Sequence, residues 1–308
     1  MTQHTAGGNN LSIPAPIIAR FGGPRHRAIA DIANDHLEPG PKAKIQVLLK
    51  KIKVSSLQDI ATWADDIKPT SKKKPKDKDT VDFLAKFHDS REWHFVDLPV
   101  NATGYDPVKY APFTRPDDIV QMTVESINVL LGHSTKFSPL NALRWVTHLV
   151  GDMHQPLHIA CGYIDFSGAM PRIVFDSDEI VAKHLLQKSD LGGNKIILPI
   201  GSGGKPLHTY WDTDLPSKDN NLLDSPPMPA PVPKNQLVGL PAAWVSENVQ
   251  FAKQAYQGLT VKGTNVHPGN VDVSFDQAVY DKRCVPLIKE LSLKAAGRLA
   301  GLLNTIFG

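Results

Sequence analysis

Cysteine is scarce in this chain, which has only Cys161 and Cys284 among its 308 residues. Two cysteines can form one bridge at most, so the sequence excludes a fold held together by a framework of disulfides. Long apolar runs are missing too, and none approaches the roughly 18 residues that span a membrane. The first twenty residues have no charged segment ahead of their short apolar patch, so they do not predict a signal peptide.

Neither sign of charge dominates, because 34 lysines and arginines are set against 31 aspartates and glutamates, a formal net charge of +3. This balance is compatible with a polyanionic substrate, but solubility alone would explain it as well. Hydrophobic residues make up 41% of the chain, which is enough for a core in one large domain or two. Strand signals are few, and "NKIILPI" is the strongest of them.

Helical periodicity of apolar residues predominates from "RHRAIADIANDHL" onward. The segment "SPLNALRWVTHLVGDMH" predicts a helix that ends near Met153. In "SSLQDIATWADDIK", Ser55 and Gln58 form a capping-box pattern at the start of another predicted helix. The C-terminal stretch from Phe275 predicts two helices broken near Pro286. Two more amphipathic helices are predicted in "DDIVQMTVESINVLLGH" and "PAAWVSENVQFAKQAYQG".

The predicted organisation is a flexible tail over residues 1–20, followed by one mainly α-helical domain over residues 21–308. Insertions are expected near 70–83, 161–190 and 216–238. The first contains the basic run "SKKKPKDKD", which we interpret as a solvated loop, with an added anchor for a phosphate backbone as the alternative. The second is expected to reshape one wall of a cleft.

The stretch "THLVGDMHQPLH" places three histidines and an aspartate in an apolar frame. His148 and Asp152 are four residues apart and share one face of the predicted helix. Pro156 ends that helix, and His158 follows just after the break. Burying such groups without partners would cost several kcal/mol. A divalent metal ion is the partner that this combination of residues predicts.

The same residue types recur elsewhere in short motifs. His26 begins an early helix, Asp65 lies in "WADDIK", and His94 lies between aromatic residues in "REWHFVD". His208 and Asp212 repeat the four-residue spacing in "LHTYWDTDL". Taken singly, each is more often an ordinary core histidine or ion pair than a ligand. Imidazole and carboxylate groups without thiolates are nevertheless the ligands that zinc uses in hydrolytic sites.

The motifs "WADDIK", "WHFVD", "HLVGDMHQPLH", "GGNKI", "LHTYWDTDL" and "KAAGRLAGLLNTIF" occur in this order from about Phe21 to the C-terminus. Together they resemble the S1/P1 nuclease family, which comprises zinc-dependent, single-strand-preferring nucleases and 3′-nucleotidases distantly related to zinc phospholipase C. The resemblance implies a mainly helical, single-domain fold with three zinc ions at the base of a cleft. It also implies single-stranded nucleic acids and nucleotides as substrates, export from the cytoplasm and a monomeric state.

Carried over position by position, the resemblance implies a set of ligands for each of the three zinc ions. The first ion would be held by Asp65, His94, His148 and Asp152. The second would be held by His158, His208 and Asp212. The third would be held by His26, by Asp152 as a bridge, and by the amino and carbonyl groups of Phe21 as the mature N-terminal residue.

The resemblance also implies roles for residues that contact the substrate. Phe95 would stack on a base and Asp97 would hydrogen-bond to it. Lys68 and Asn194 would contact the phosphate region and the reacting site, so that the catalytic residues would be Asp65, Lys68, Asp152 and Asn194. His154 matches no ligand of the family, and we interpret it as a support for a ligand or as structural.

Two features of the N-terminal region depart from the family pattern. Phe21 stands where the family has a tryptophan whose free amine binds zinc, and twenty residues precede it. Either the chain is cleaved after Arg20, or the third zinc is weak or absent. Arg25 replaces the glycine that is usual before the first histidine. Two other functions therefore stay open: a phospholipase C-like esterase that uses the same metals, and a non-catalytic relative that keeps zinc and binds nucleic acid.

Overall fold

The computed structural model describes residues 22–72, 74–218 and 226–308. The predicted tail (residues 1–20), Phe21 and residues 219–225 of the third predicted insertion lie outside these ranges. The fold is mainly helical, and no described helix is long and apolar enough to cross a membrane. The described α-helices are α1 (Gly23–Asp35), α2 (Pro39–Lys50), α3 (Trp63–Asp66), α4 (Lys78–Lys86), α5 (Ile119–Leu130), α6 (Pro139–Asp152), α7 (Pro156–Ile159), α8 (Ser177–Ala182), α9 (Leu207–Thr209), α10 (Leu215–Lys218), α11 (Leu240–Asn248), α12 (Ala252–Tyr256) and α13 (Gln277–Phe307).

Short strands and turns connect these helices. The described strands are β1 (Leu98–Pro99), β2 (Ala160–Cys161), β3 (Tyr163–Asp165), β4 (Arg172–Val174), β5 (Ile196–Leu198), β6 (Lys205–Pro206), β7 (Thr260–Thr264) and β8 (Val271–Ser274). Short 3₁₀ segments lie at Gln58–Ile60, Arg91–His94, Ala111–Phe113, Leu186–Lys188, Lys234–Gly239 and Val249–Phe251, and a π-helical turn lies at Tyr210–Asp214.

Helix α6 is the centre of the core. Every residue from Leu140 to Asp152 is buried, and α1, α2, α3, α4, α5 and α13 pack around it. The Ser138 side chain accepts a hydrogen bond from the Asn141 amide, and Pro139 occupies the first turn, both of which favour a helix start. The helix ends at Asp152, so its predicted end near Met153 is confirmed to within one residue.

The C-terminal helix is continuous, and the predicted break near Pro286 is wrong. Helix α13 runs from Gln277 to Phe307 with Pro286 inside it. A proline there removes one helical hydrogen bond, which costs about 3 kcal/mol in an isolated helix. Buried residues lie on both sides of it, including Cys284, Leu287 and Ile288, and α13 packs against α1, α2, α6 and α10. This packing keeps the helix continuous through Pro286.

The predicted helix over "SSLQDIATWADDIK" is also wrong, because the structure has only the 3₁₀ turn Gln58–Ile60 and the single turn α3. Ser55 does not act as a helix cap. Instead the Asp59 carboxylate accepts hydrogen bonds from the amides of Ser55 and Ser56, at 3.1 and 3.0 Å. A side chain that binds the backbone in this way stabilises a turn in competition with a helix.

The sheets are small and lie next to the segments that carry the predicted site. Strands β6-β5-β8-β7 form one sheet in that order, in which β5 and β8 are parallel and the other pairs antiparallel. The strand prediction for "NKIILPI" is confirmed by β5. Strands β1 and β2 pair in parallel, and the Val96 amide donates to the His158 carbonyl at 2.9 Å. This pairing places the segment after His94 against the segment after His158.

The second predicted insertion is folded rather than a loop. Strands β3 and β4 form an antiparallel hairpin and α8 follows it. The Asp165 carboxylate lies 3.2 Å from the Arg172 guanidinium and 3.0 Å from the Lys183 ammonium, which holds the hairpin against α8. Cys161 and Cys284 are both buried and free, so the one disulfide that the sequence allows is not formed.

Candidate metal centre

The predicted ligands that the structure describes come from seven separate elements and converge on one buried cluster. His26 lies on α1, Asp65 on α3, His94 at the end of a 3₁₀ turn, His148 and Asp152 on α6, His158 on α7, His208 on α9, and Asp212 in the π-helical turn. Phe21, the remaining predicted ligand, lies outside the described residues. Helices interrupted by such π-helical turns are frequent at functional sites.

The Asp152 carboxylate is the hub of the cluster. Its Oδ2 lies 3.0 Å from His94 Nδ1 and 3.2 Å from His148 Nε2. Its Oδ1 lies 3.1 Å from His26 Nε2 and 3.6 Å from His158 Nδ1. Both oxygens therefore face imidazoles from four directions, which is the geometry that a bridging carboxylate requires.

Three groups in the cluster bring ligand atoms to within 4.8 Å of one another. These groups are His26, His148 and Asp152; Asp65, His94 and His148; and His158, His208 and Asp212. His148 belongs to two of them, and Asp65 Oδ1 lies 3.8 Å from His148 Nε2. In the third, His208 Nε2 lies 3.3 Å from Asp212 Oδ2. All the described predicted ligands thus fall into sets that can hold a cation.

Backbone carbonyls fix the orientation of three of the histidines. Nδ1 of His148 lies 2.8 Å from the Ala61 carbonyl, and Nδ1 of His208 lies 2.8 Å from the Gly192 carbonyl. Nδ1 of His158 likewise lies 3.1 Å from the His94 carbonyl. A carbonyl only accepts, so each Nδ1 carries the proton and donates it, which leaves Nε2 as the donor to a metal. Such support is typical of metal-ligating histidines.

Several ligand atoms are buried without a hydrogen bond. Within the described part of the chain, these include His94 Nε2, Asp152 Oδ1, His158 Nε2 and Asp212 Oδ2. Charged groups lie within ion-pair distance of these atoms, but none is oriented to form a hydrogen bond with them. Leaving buried polar atoms unsatisfied costs roughly 1–3 kcal/mol each, so their presence in one cluster indicates metal coordination. Imidazole and carboxylate donors without thiolate fit zinc.

The electrostatics of the cluster favour a bound cation. Burial alone would raise the pKa of Asp152, but the charges of His148 and His158 and hydrogen bonds from His148 and His26 hold it well below its usual range. Burial would lower the pKa of His158, but Asp152 and Asp212 together raise it to about 9. Asp152 is therefore ionised at neutral pH, and a cation that binds at His158 must displace a proton there.

Lys68 and Asn194 occupy different positions relative to the cluster. The Lys68 ammonium is buried and lies 2.6 Å from Asp65 Oδ1, and its charge contributes, after burial, to lowering the pKa of His94. Asn194 is half-buried in the turn before β5, and its side-chain amide donates to the Leu191 carbonyl at 2.8 Å. Lys68 thus contacts a predicted ligand, whereas the Asn194 side chain binds the backbone of its own turn.

Phe95 and Asp97, the predicted base-binding residues, are both half-buried and follow His94 directly. The Arg115 guanidinium lies over the Phe95 ring, 5.8 Å from its centroid. Burial raises the pKa of Asp97 to about 6, although Cys161 and Lys195 oppose the shift. Asp97 is therefore a carboxyl group whose protonation changes just below neutral pH.

Gln155 supports the cluster and was missed by the sequence analysis. Its side chain is buried between the two halves of the "HQPLH" motif. Nε2 donates to Asp212 Oδ1 at 2.9 Å, and Oε1 accepts from the Leu157 amide at 2.6 Å. The amide therefore holds a predicted ligand and the start of α7 together. The signal for Gln155 in the sequence was its position between two histidines of an apolar segment.

Asp190 was missed as well, and it supports His208 through the glycine turn. Its buried carboxylate accepts hydrogen bonds from the Gly193 amide at 2.9 Å and the Tyr256 hydroxyl at 2.8 Å. Gly192 has a φ of +60°, and a Cβ there would lie 2.2 Å from the Leu157 carbonyl. Only glycine fits this turn, which presents the Gly192 carbonyl to His208.

His154 and Arg25 do not belong to the cluster. His154 donates from Nδ1 to the Val150 carbonyl at 2.7 Å, and its Nε2 accepts from Arg298 at 2.9 Å. Burial and the Arg298 charge lower the pKa of His154 to about 3, so it is a neutral structural group. The buried Arg25 guanidinium donates to the Pro216 carbonyl at 2.9 Å, and so it is held by the segment after Asp212.

A family model described as S1/P1 Nuclease matches residues 21–308. Nuclease S1 of Aspergillus oryzae is 27% identical over 200 residues, which cover 63% of this chain and 53% of that protein. Nuclease P1 of Penicillium citrinum is 26% identical over 195 residues, covering 63% and 57%. Endonuclease 2 of Arabidopsis thaliana is 23% identical over 327 residues, covering 97% and 94%. The matched region thus spans little more than half the length of the two fungal relatives.

Proposed function

Because the chain belongs to the S1/P1 nuclease family, we propose that it is a zinc-dependent hydrolase that cleaves single-stranded DNA and RNA to 5′-nucleotides. It would also remove the phosphate of 3′-nucleotides. The observation that carries this proposal is the cluster around Asp152, where three buried groups of imidazole and carboxylate donors lie side by side. Its donor atoms, their fixed orientation and their unsatisfied state fit zinc.

Each group has its own proposed place in the site. Asp65, His94, His148 and Asp152 would hold one zinc ion, and His158, His208 and Asp212 would hold a second. His26 and Asp152 would hold a third together with the amino group of Phe21, once the preceding residues are removed. When bound, zinc ions make water a nucleophile near neutral pH and neutralise charge on a phosphate.

The chain's own residues would bind and orient the substrate at this centre. The Lys68 ammonium is buried at the edge of the cluster, where it would add a fixed positive charge for a phosphate oxygen. Phe95 would stack on an unpaired base, and Asp97 would accept a hydrogen bond from it. Stacking on an aromatic ring tolerates every base but requires that the base be unpaired, which explains a preference for single strands.

The test is cleavage of matched substrates by the zinc-loaded protein. We expect hydrolysis of single-stranded DNA and RNA, much slower hydrolysis of the duplex of the same sequence, and release of phosphate from a 3′-nucleotide. A phosphatidylcholine vesicle serves as the comparison substrate. Hydrolysis of the lipid without hydrolysis of the oligonucleotides would replace the proposal with a phospholipase C-like function. No hydrolysis of any of these substrates would favour a binding protein.

A further inference from the structure

Three lysines in the first insertion have no carboxylate partner within the described residues. Lys72, Lys74 and Lys76, here called the lysine segment, are exposed. Among the residues that the structure describes, no carboxylate lies within ion-pair distance of any of them. The next acidic residue, Asp77, is bound to Arg144 instead.

A partly buried ion pair fixes the C-terminal end of the lysine segment. Asp77 accepts two hydrogen bonds from the Arg144 guanidinium, from Nη1 at 3.1 Å and from Nη2 at 2.9 Å. Arg144 is buried on α6, one helical turn before His148, and its guanidinium lies over the Trp63 ring, 4.9 Å from the centroid. A bidentate pair between a buried guanidinium and a partly exposed carboxylate is geometrically specific. The segment is therefore attached to the helix that carries the hub of the cluster.

The N-terminal end of the lysine segment is attached to the cluster itself. Lys68 is bound to Asp65, and the Ser71 amide donates to the Lys68 carbonyl at 2.9 Å in a turn. Lys72 follows this turn directly. Four residues of extended chain span at most about 14 Å, and the turn shortens that distance. The backbone of Lys72 therefore lies within about 14 Å of Lys68, and Lys76 directly precedes Asp77, so the lysine segment is bounded by one residue that contacts a predicted ligand and one that is bound to α6.

We propose that the lysine segment binds the phosphates of a polynucleotide chain beyond the bond that is cleaved, and so makes long single strands better substrates than dinucleotides. This inference rests on the proposed function. The alternative, a solvated loop with no partner, leaves three like charges on a short segment held at both ends by partly buried contacts. Repulsion among these charges is relieved when phosphates of a polyanion bind the segment, and the cations condensed on the polyanion are released into solution.

The test compares two variants that lose the same charge. K72A/K74A/K76A removes the lysine segment's charge but keeps Asp77 and its ion pair with Arg144. K50A/K253A/K262A removes three exposed lysines from α2, α12 and β7, elements that carry none of the predicted ligands. Binding is measured by fluorescence anisotropy with a labelled, cleavage-resistant phosphorothioate oligothymidine of twelve nucleotides, at several salt concentrations. Cleavage is measured on an ordinary oligothymidine of that length and on a dinucleotide.

We expect binding by the first variant to depend less on salt, with the slope of log K against log salt reduced by about 0.7 for each phosphate that the segment no longer neutralises. Its kcat/KM should fall about tenfold on the long substrate at low salt and stay within about twofold of wild type on the dinucleotide. The control variant should keep the wild-type slope. An unchanged slope in the first variant, an equal loss on both substrates, or an equal loss in the control would overturn the proposal.

The same experiment separates this inference from the function on which it rests. If the wild-type protein cleaves oligothymidine but the first variant binds it with the wild-type slope, only the role of the lysine segment is wrong. If the wild-type protein cleaves neither substrate, the proposed function is wrong. In that case the binding measurement still tests the lysine segment. If K72A/K74A/K76A has a smaller salt slope than wild type and the control variant does not, the segment binds polyanions.

Discussion

The imidazole rings of His26 and His148 lie stacked, with centroids 3.9 Å apart and planes within 14° of parallel. Both Nε2 atoms face the Asp152 carboxylate, at 3.1 and 3.2 Å. Two imidazolium ions at this distance would repel each other. Burial, and then the charge of His148, lower the pKa of His26. Burial would lower the pKa of His148 too, but Asp152 and Asp65 raise it, so His26 offers a neutral nitrogen donor whereas a cation that binds at His148 must displace a proton.

Replacing Asp152 with asparagine keeps the shape of this hub but removes its charge. We expect D152N to lose at least about 1000-fold in kcat/KM, a loss of roughly 4 kcal/mol in transition-state stabilisation. Zinc measured by mass spectrometry should fall below the wild-type content. D118N is the control, because Asp118 is equally buried but caps α5 outside the three groups. Wild-type zinc and activity in D152N would contradict the role given to this carboxylate.

Gln155 is predicted to act on zinc affinity without being a ligand. Q155A removes the hydrogen bond to Asp212 Oδ1, and loss of such support typically weakens metal binding by about 10–100-fold. The affinity is measured by competition with a chromogenic chelator. Gln121 provides the control, since its side chain donates to the Tyr105 hydroxyl outside the three groups, and Q121A should bind zinc as wild type does. Equal affinities in Q155A and Q121A would contradict this assignment.

Asp190 is predicted to make stability depend on pH. Burial raises its pKa from 3.8 to about 7, despite hydrogen bonds from Gly193, Tyr256 and Gly162 that favour the ionised form. A raised carboxyl pKa means that the folded state binds the proton more tightly. Stability from this group is therefore greatest below pH 4 and is lost as the pH rises from about 4 to about 7.

D190N removes this titration, so its stability relative to wild type should improve by about 2–3 kcal/mol between pH 5 and pH 8. Urea unfolding of both proteins at the two pH values measures the difference. In the wild-type structure the Gly162 amide donates to Asp190 Oδ2 at 3.2 Å, and asparagine would lose this acceptor. D190N is therefore expected to be less stable than wild type at pH 5. A difference that does not change with pH would show that Asp190 does not titrate in this range.

Phe95 is predicted to bind substrate and not metal. F95A should raise KM for single-stranded DNA about tenfold, since stacking contributes about 1–3 kcal/mol for each base. Zinc content should remain at the wild-type level, and F95Y, which keeps the ring, should retain most of the affinity. Loss of zinc in F95A with an unchanged KM would mean that the ring supports the metal centre and does not bind a base.

Residue spacing and family resemblance were sufficient to predict the fold class and the composition of the cluster. His148 and Asp152 share a helical face because four residues make about one turn, and the sequence shows that directly. The convergence of seven elements on one cluster depends on tertiary packing, which no local pattern reports. The family resemblance predicted which residues converge, and the structure brings the described ones together. Their assignment to particular zinc ions stays a prediction.

The two wrong helix predictions have different physical causes. Pro286 predicts a break, but packing of α13 along the core keeps the helix continuous. Ser55 and Gln58 predict a helix cap, but the nearby Asp59 carboxylate accepts from the Ser55 amide, the group that the Gln58 side chain would bind in a capping box. The supporting roles of Gln155 and Asp190 depend on partners 57 and 66 residues away, which spacing alone does not identify.

The most direct test is activity of the protein on single-stranded DNA before chelation, after complete removal of zinc, and after zinc is restored. Cleavage should disappear when the metal is removed and return when zinc is added back, while magnesium alone should not restore it. Circular dichroism at each step shows whether the chain is still folded. Undiminished cleavage by protein shown to contain no zinc would contradict the proposed zinc-dependent hydrolysis.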